Sequence, residues 1–221
     1  MTKYLLQQQL SRLAGAALLV TLTLASGCNS STDVPGAGSY RTVPAQLGRD
    51  TDAARTLTAR AAALFDPLTL ETTVENPQQV TVHLEQAQIL LKQALDADIM
   101  YGPAHNNLGQ AYYHQQRYYE AAWEFEYAIK LMPHQPVPRN NLGLVFEATG
   151  QMEQAAEQYD LARTEEPDNP EFVGNLVRAR LRHGDRGQET HDLLQHLVRI
   201  ETRPQWRVWA EEQLHLLPPP E

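Results

Sequence analysis

Two stretches of the 221-residue chain decide its fold: HNNLGQAY at residues 105–112 and RNNLGLVF at residues 139–146. VGNLVRAR at residues 173–180 follows the second stretch at the same offset that separates the first two. Further pairs share this offset: Ala121 and Ala155, Phe125 and Tyr159, Ala128 and Ala162, Pro133 and Pro167, and Gly150 and Gly184. A constant period of about 34 residues indicates a stack of similar supersecondary units rather than one irregular domain.

The apolar spacing inside each period is that of two α-helices. Leu108 and Tyr112 are four residues apart on one helical face, and the small Gly109 beside them allows a second helix to approach closely. The second half of the period carries its own apolar stripe at positions i, i+4 and i+7, namely Ala121, Phe125 and Ala128. Pro133 and Pro167 lack the N–H that would continue this second helix. Each unit is therefore predicted to be a helical hairpin that must bury its open face against the next one.

These residues resemble the tetratricopeptide repeat (TPR) family, whose signature is W-x₂-L-G-x₂-Y, A-x₃-F and P within a period of about 34 residues. Residues 102–135 match every position of this signature after the tryptophan. Residues 136–169 match the same positions, except that Phe stands in the place of Tyr and Tyr in the place of Phe. His105 and Arg139 stand in the tryptophan position. A degenerate third repeat covers residues 170–203, with departures at Val177, Arg180, Glu189 and Glu201. The resemblance implies an all-α fold, a TPR-like solenoid of helical hairpins.

Helices are expected on both sides of the repeats. Residues 51–101 are predicted to form an N-terminal hairpin, a partial repeat with helices within 51–65 and 78–97. The second of these helices carries the same apolar stripe as the first repeat, one period earlier, at Ala87, Leu91 and Ala94. Residues 204–221 are predicted to form a C-terminal capping helix and tail. The apolar stripe of this helix consists of Trp206, Ala210, Leu214 and Leu217.

The pattern of residues 1–27 is that of a lipoprotein signal peptide. Two basic residues precede an uncharged run at residues 13–25, which at 1.5 Å per residue is too short to span a hydrocarbon core of about 30 Å. LASGC at residues 24–28 resembles a bacterial lipobox, which implies cleavage before Cys28 and lipidation of its sulfur. An ordinary secretory signal followed by a chance cysteine is the alternative.

The segment after the cysteine is predicted to be a flexible tether. Residues 28–50 are rich in Ser, Gly and Pro and show no apolar period. Asn29, in place of Asp, favours the outer membrane by resemblance to the enterobacterial sorting rule. The sequence therefore predicts a membrane-anchored lipoprotein of the cell envelope, in the outer membrane and facing the periplasm.

Composition and motifs argue against several classes of function. With 18 basic and 27 acidic residues the net charge is -9, which disfavours binding to nucleic acid. Cys28 is the only cysteine, so an internal disulfide or a cysteine zinc site is excluded. The sequence contains no phosphate-binding loop, nucleophile elbow or zinc-protease motif. His191 and His196 are five residues apart, unlike a metal pair at i and i+4. We therefore expect no enzyme activity, metal or cofactor.

In the TPR family the first helix of each hairpin lines a concave groove. The predicted protein-binding residues are Asn106, Asn107, Gln110, His114, Asn140, Asn141, Leu144, Glu147, Asn175, Arg178 and Arg182. Asn107, Asn141 and Asn175 resemble the asparagine ladder of O-linked N-acetylglucosamine transferases, whose amides grip a peptide backbone. Asparagine is also common at this position in repeats that bind nothing there.

Two arginines of the third repeat bear on the chemistry of the partner. Arg178 and Arg182 are four residues apart on one helical face, in an otherwise acidic protein. A guanidinium can hold a carboxylate through two parallel hydrogen bonds, so these residues are predicted to bind an acidic or C-terminal segment of the partner. The alternative is that they pair within the chain with Glu147.

The function that follows is a protein-interaction scaffold for an envelope protein or peptide, such as a component of a pilus, a secretin or the cell-wall machinery. The lysine-containing carboxylate clamp of chaperone-type repeats is absent from this groove. One alternative is an envelope enzyme with its chemistry in residues 51–77 or in the tyrosine-rich stretch 112–127. Another is a glycan- or peptidoglycan-binding lipoprotein that uses exposed Tyr and Trp faces, although packing is the commoner role of such residues.

Overall fold

A computed structural model of the protein describes residues 49–65 and 77–217. The predicted signal peptide, Cys28 and residues 28–48 of the predicted tether lie outside the described residues. The described residues form nine helices and no strand. In chain order the helices are α1 (Thr51–Ala62), α2 (Pro77–Ala97), α3 (Gly102–His114), α4 (Tyr118–Leu131), α5 (Pro136–Ala148), α6 (Met152–Glu165), α7 (Pro170–His183), α8 (Gln188–Ile200) and α9 (Pro204–Leu216).

Each helix packs mainly against its neighbours along the chain. Helices α1 and α2, α3 and α4, α5 and α6, and α7 and α8 form four hairpins, and each hairpin contacts the next one. Contacts between sequence neighbours are what a repeat stack requires, because each hairpin covers the open face of the one before it. The predicted all-α solenoid of helical hairpins is confirmed.

Three helices begin with a proline, and these prolines are one repeat period apart. Pro136, Pro170 and Pro204 are the first residues of α5, α7 and α9. A proline is tolerated there because the first N–H groups of a helix have no intrahelical acceptor. Helix α9 therefore begins in register with the first helices of the repeats before it.

The turns between the two helices of each repeat share a left-handed residue. Its φ angle is 60° at Gln116, 80° at Gly150 and 91° at Gly184. These positions are separated by one repeat period each, so all three repeats make the turn at the same place. Glycine adopts this conformation without a steric penalty, whereas Gln116 has a Cβ that disfavours it.

Close contact between the two helices of a repeat depends on a glycine in the first helix. A Cβ added at Gly109 would lie 2.6 Å from Cε1 of Phe125, and one added at Gly143 would lie 2.5 Å from Cε1 of Tyr159. Carbon atoms do not pack at such distances. The aromatic ring on the second helix thus occupies the space that a side chain on the first helix would need.

The third repeat fills the same space differently. Val177 replaces the glycine and Leu193 replaces the aromatic residue. Both side chains are buried in one core cluster. The sequence departure that makes this repeat degenerate is therefore compatible with a packed hairpin.

The apolar core runs along the stack as two clusters that share one side chain. The first contains Leu91, Leu108 and Phe125, and the second contains Tyr159 and Leu194. Phe146 of α5 packs against both clusters. The described hairpins therefore have a continuous core rather than separate ones.

The C-terminal helix α9 packs through part of its predicted stripe. Ala210 and Leu217 are buried, but Trp206 is 40% exposed. The Trp206 ring meets Trp209 edge-on, at 6.1 Å between ring centroids, and lies outside the core cluster. Among helices of the described residues, none is both long enough and apolar enough to cross a membrane.

Candidate protein-binding face

Side chains of the first helices α3, α5 and α7 meet along one surface of the stack, which we call the inner face. Hydrogen bonds and shared cavities connect its residues across the repeat boundaries. The inner face consists of Asn106, Gln110, Tyr113, His114, Asn140, Asn141, Leu144, Glu147, Asn175, Arg178 and Arg182. Ten of the eleven predicted binding residues thus lie on it, and Asn107 lies beside it, hydrogen-bonded to Asn106.

The asparagines of the inner face bond to one another between repeats. Asn141 Nδ2 donates to Asn106 Oδ1 at 3.0 Å, and Asn175 Nδ2 donates to Asn140 Oδ1 at 2.8 Å. Asn140 in turn donates to Glu171 Oε1 at 3.2 Å. An amide that bonds within the protein has fewer groups left for a ligand. These two asparagine pairs therefore join adjacent repeats, and a peptide could use only their remaining donors and acceptors. Asn107, the first member of the predicted ladder, bonds to Asn106 of the same helix and takes no part in these pairs.

Glu147 accepts four hydrogen bonds from three side chains on two other helices. Arg178 donates from Nε to Oε1 at 2.9 Å and from Nη2 to Oε2 at 3.0 Å. Arg182 Nη1 donates to Oε1 at 2.6 Å, and the Tyr159 hydroxyl donates to Oε2 at 2.8 Å. The structure thus places both arginines on an internal carboxylate, which is the alternative that the sequence left open.

The electrostatics of this cluster follow from its burial and its charges. Burial alone would raise the pKa of Glu147, but hydrogen bonds and charge from Arg178, with help from Tyr159 and Arg182, lower the pKa below its ordinary value. Burial, followed by the nearby carboxylate, raises the pKa of Tyr159. The cluster is therefore an ionised, hydrogen-bonded unit at neutral pH, and it holds α5, α6 and α7 together.

A cavity of about 210 Å³ opens on the inner face between α3 and α5. Its lining residues are Phe65, Gln110, Tyr113, His114, Phe125, Asn141 and Leu144. The Phe65 and His114 rings stack at 6.4 Å between centroids, and Tyr113 meets His114 edge-on at 5.7 Å. Burial lowers the pKa of His114, which favours the neutral imidazole. This aromatic cavity is therefore lined by uncharged groups.

A second cavity of about 350 Å³ lies at the C-terminal end of the inner face. Its lining includes Asn175 and Arg178 of α7 and Trp206 and Trp209 of α9. Arg203 lies over the Trp206 ring at 5.7 Å and holds the buried Glu201 through two hydrogen bonds of 2.9 and 2.7 Å. Charged and aromatic groups thus border this cavity together.

Sequence reasoning missed several residues of these cavities. Tyr113 follows Gln110 by three residues and could have been found from the helical period of the inner face. Phe65 lies beyond the end of α1, outside the repeats, so the repeat period carries no signal for it. Trp206 and Trp209 lie on α9, and Trp209 is one period after Asn175, so the period could have placed it on the inner face. Within the described part of the chain, no cluster of three His, Cys, Asp or Glu residues could hold a metal ion.

Two aromatic residues of the tyrosine-rich stretch are exposed. Tyr119 is 81% exposed and Trp123 is 62% exposed, four residues apart on α4. Tyr112 and Phe125 are buried in the core, as the repeat pattern predicts. The stretch therefore contributes both core residues and an exposed aromatic pair.

Comparison with known proteins identifies the fold. The tetratricopeptide repeat family matches residues 102–135. The first TPR of Spaghetti (RPAP3), bound to an HSP90 peptide, superposes with a TM-score of 0.53 at 17% identity, covering 62% of this chain and 98% of that one. An O-GlcNAc transferase of Thermobaculum terrenum gives 0.53 at 20% identity, covering 68% of this chain and 26% of that one. No curated protein matches the sequence of the chain.

The repeat and the packing together define the class of protein. Residues 102–135 match the tetratricopeptide repeat family, and the described helices form a solenoid of hairpins like that of the solved TPR structure. Such stacks present an extended surface that suits protein–protein interaction. The fold therefore supports an interaction scaffold.

Proposed function

We propose that the chain is a membrane-anchored scaffold of the bacterial cell envelope and that it binds a partner protein or peptide along the inner face. The supporting observation is the aromatic cavity, which lies between two repeats that are already joined by the Asn141–Asn106 hydrogen bond. A surface held in place before binding loses little conformational entropy when a partner arrives. This preorganisation favours recognition of an extended segment across α3 and α5.

The chemistry of this face differs from that of a carboxylate clamp. The Spaghetti repeat is bound to the peptide SRMEEVD, which carries three acidic residues. In this chain residues 102–114, 136–148 and 170–183 contain no lysine, and Arg178 and Arg182 already bind Glu147. An acidic segment of a partner would have to displace that internal carboxylate.

Anchoring is proposed from the lipobox at Cys28 and the segment that follows it. Cys28→Ala should prevent lipidation and release the protein from the membrane fraction, because the acyl chains supply about 0.8 kcal/mol per buried methylene. The measurement is fractionation of cells that express the wild type or the variant. Equal partitioning of the two proteins into detergent would contradict the proposed anchor.

Site-specific photo-crosslinking in intact cells tests binding at the inner face. A photoreactive phenylalanine at position 110 should give a crosslinked partner, since Gln110 lies at the aromatic cavity. The same substitution at position 126 is the control, because Glu126 is exposed on α4 and lies outside the inner face. Crosslinks at 126 with none at 110 would place the interaction elsewhere.

The exposed aromatic pair favours a second candidate, a glycan- or peptidoglycan-binding lipoprotein. Tyr119 and Trp123 present their rings to solvent, and aromatic faces can stack on sugar rings. Purified peptidoglycan should then sediment the wild-type protein, and Trp123→Ala should remain in the supernatant. Equal recovery of both proteins in the supernatant would remove this candidate.

A further inference from the structure

We infer that the partner is recognised through one large apolar side chain that enters the aromatic cavity between α3 and α5. This inference rests on the proposed binding at the inner face and specifies its chemistry. The cavity measures about 210 Å³, below the roughly 300 Å³ at which small-molecule sites begin. Its size therefore suits a single anchoring side chain.

The lining selects an uncharged side chain. Phe65, Tyr113 and Leu144 supply apolar surface, and His114 contributes its ring. A carboxylate or ammonium group placed there would lose its hydration without gaining an opposite charge. A phenyl or large aliphatic group would instead replace water against the aromatic and aliphatic part of the lining, which is favourable at about 25 cal/mol per Å² of apolar surface.

Polar groups around the cavity can orient the backbone next to that anchor. Among the described residues, the Gln110 amide and the His114 imidazole nitrogens have no hydrogen-bond partner. An amide offers both a donor and an acceptor, so it matches the N–H and C=O groups of an extended peptide. Unpaired polar groups beside an apolar cavity are the arrangement expected for a peptide with a buried side chain.

The charged part of the inner face is already paired. Glu147 accepts bonds from Arg178 and Arg182, only one turn beyond Leu144 of the cavity wall. A partner carboxylate would have to compete with this internal one for the same guanidinium groups. The inner face therefore offers an open, uncharged cavity beside a closed ionic cluster, and we assign the anchor to the cavity.

A random dodecapeptide library displayed on phage, selected against the full chain, tests this assignment. We expect an enriched motif with one aromatic or large aliphatic position. Fluorescence anisotropy should then show at least tenfold weaker binding of that peptide to Leu144→Glu, a loss of about 1.4 kcal/mol. His114→Asp, at a position whose side chain reaches solvent, provides a second variant if Leu144→Glu fails to fold by circular dichroism. Leu161→Glu, the matched control at an exposed leucine of α6 outside the inner face, should bind within twofold of the wild type.

The other outcomes separate the inference from the proposed function. An acidic motif that Arg182→Ala abolishes and Leu144→Glu preserves would overturn the apolar anchor but keep the inner face as the binding surface. Failure to enrich any motif would overturn the inference, as expected if a second copy of the chain fills the cavity. The photo-crosslinks at position 110 would then decide the proposed function independently.

Discussion

The first two repeats and the third repeat form the same helical hairpin, but they distribute side-chain volume differently between its two helices. In the first two, glycine on the first helix faces an aromatic ring on the second, as at Gly109 and Phe125. In the third, Val177 and Leu193 divide the volume between the two helices. A repeat that departs from the family signature at both positions can therefore still be a full member of the stack, because packing constrains the combined volume and not each residue separately.

In the turn between the two helices, the third repeat has the more favourable residue and the first repeat the less favourable one. The third repeat has Gly184 there, and the first repeat has Gln116 in the left-handed conformation. The signature-like repeat thus contains the backbone strain, and the degenerate one does not. How closely a repeat matches the family signature therefore does not indicate whether its turn is free of backbone strain.

The largest expected effect tests whether the third repeat is as integral to the core as the second. Leu142 and Leu176 occupy the same repeat position, and both are buried. Replacing either by Ala should destabilise the protein by about 2–5 kcal/mol, since the lost apolar group leaves a cavity. Thermal unfolding followed by circular dichroism measures this. A normal melting temperature for Leu176→Ala beside a lowered one for Leu142→Ala would exclude the third repeat from the cooperative stack.

Exchanging the two packing solutions is the next strongest test. Gly109→Val should destabilise the protein by about 1–3 kcal/mol, because its side chain overlaps the Phe125 ring. Adding Phe125→Leu reproduces the combination of the third repeat and should restore part of the loss. Urea unfolding of the two single variants and the double variant gives the coupling energy.

The matched control for this exchange is Gly174→Ala. A Cβ at Gly174 would lie 3.8 Å from the nearest atom of Leu197, an ordinary packing distance. This variant should be as stable as the wild type or more stable, since Ala favours a helix over Gly by about 1 kcal/mol. Strictly additive effects of Gly109→Val and Phe125→Leu would show that the two positions do not share one space.

A smaller effect concerns the charge cluster that joins the second and third repeats. The folded pKa of Glu147 is lowered, so its contribution to stability is present above its unfolded pKa of about 4.3 and is lost as the pH falls through the folded value. Glu147→Gln should therefore lower stability at pH 7 by about 1.5–3 kcal/mol, the range for hydrogen bonds to charged groups. The difference from the wild type should shrink in melting curves recorded below pH 4. A difference that is constant from pH 3 to pH 7 would contradict this role of the carboxylate.

The smallest expected effect relieves the strain in the first turn. Gln116→Gly should stabilise the protein by up to about 1 kcal/mol, because glycine accepts a positive φ angle without a steric penalty. The greater freedom of glycine in the unfolded chain offsets part of this gain. Gly150→Gln is the reciprocal variant and should lower the melting temperature. A rise in stability for both variants would show that the turns differ in more than their φ angles.

The family signature predicted the helices and much of the inner face. A constant repeat period places residues on equivalent helical faces, so Gln110 and Leu144 could be assigned to one surface without coordinates. The repeat period does not indicate which polar side chains form hydrogen bonds with one another. The sequence therefore leaves open whether these asparagines bind a ligand or the protein itself, and in the structure Asn141 bonds to Asn106.

The sequence by itself determined the all-α repeat stack, since helical periodicity and proline positions act within one hairpin and between neighbours along the chain. Only the tertiary structure decided the state of the inner face. The distance between Glu147 and Arg178 depends on how α5 and α7 cross, and the aromatic cavity depends on Phe65, which comes from the hairpin before the repeats. Local propensities define the elements, but the pairing of charges and the shape of a cavity result from the packing of helices that are distant in sequence.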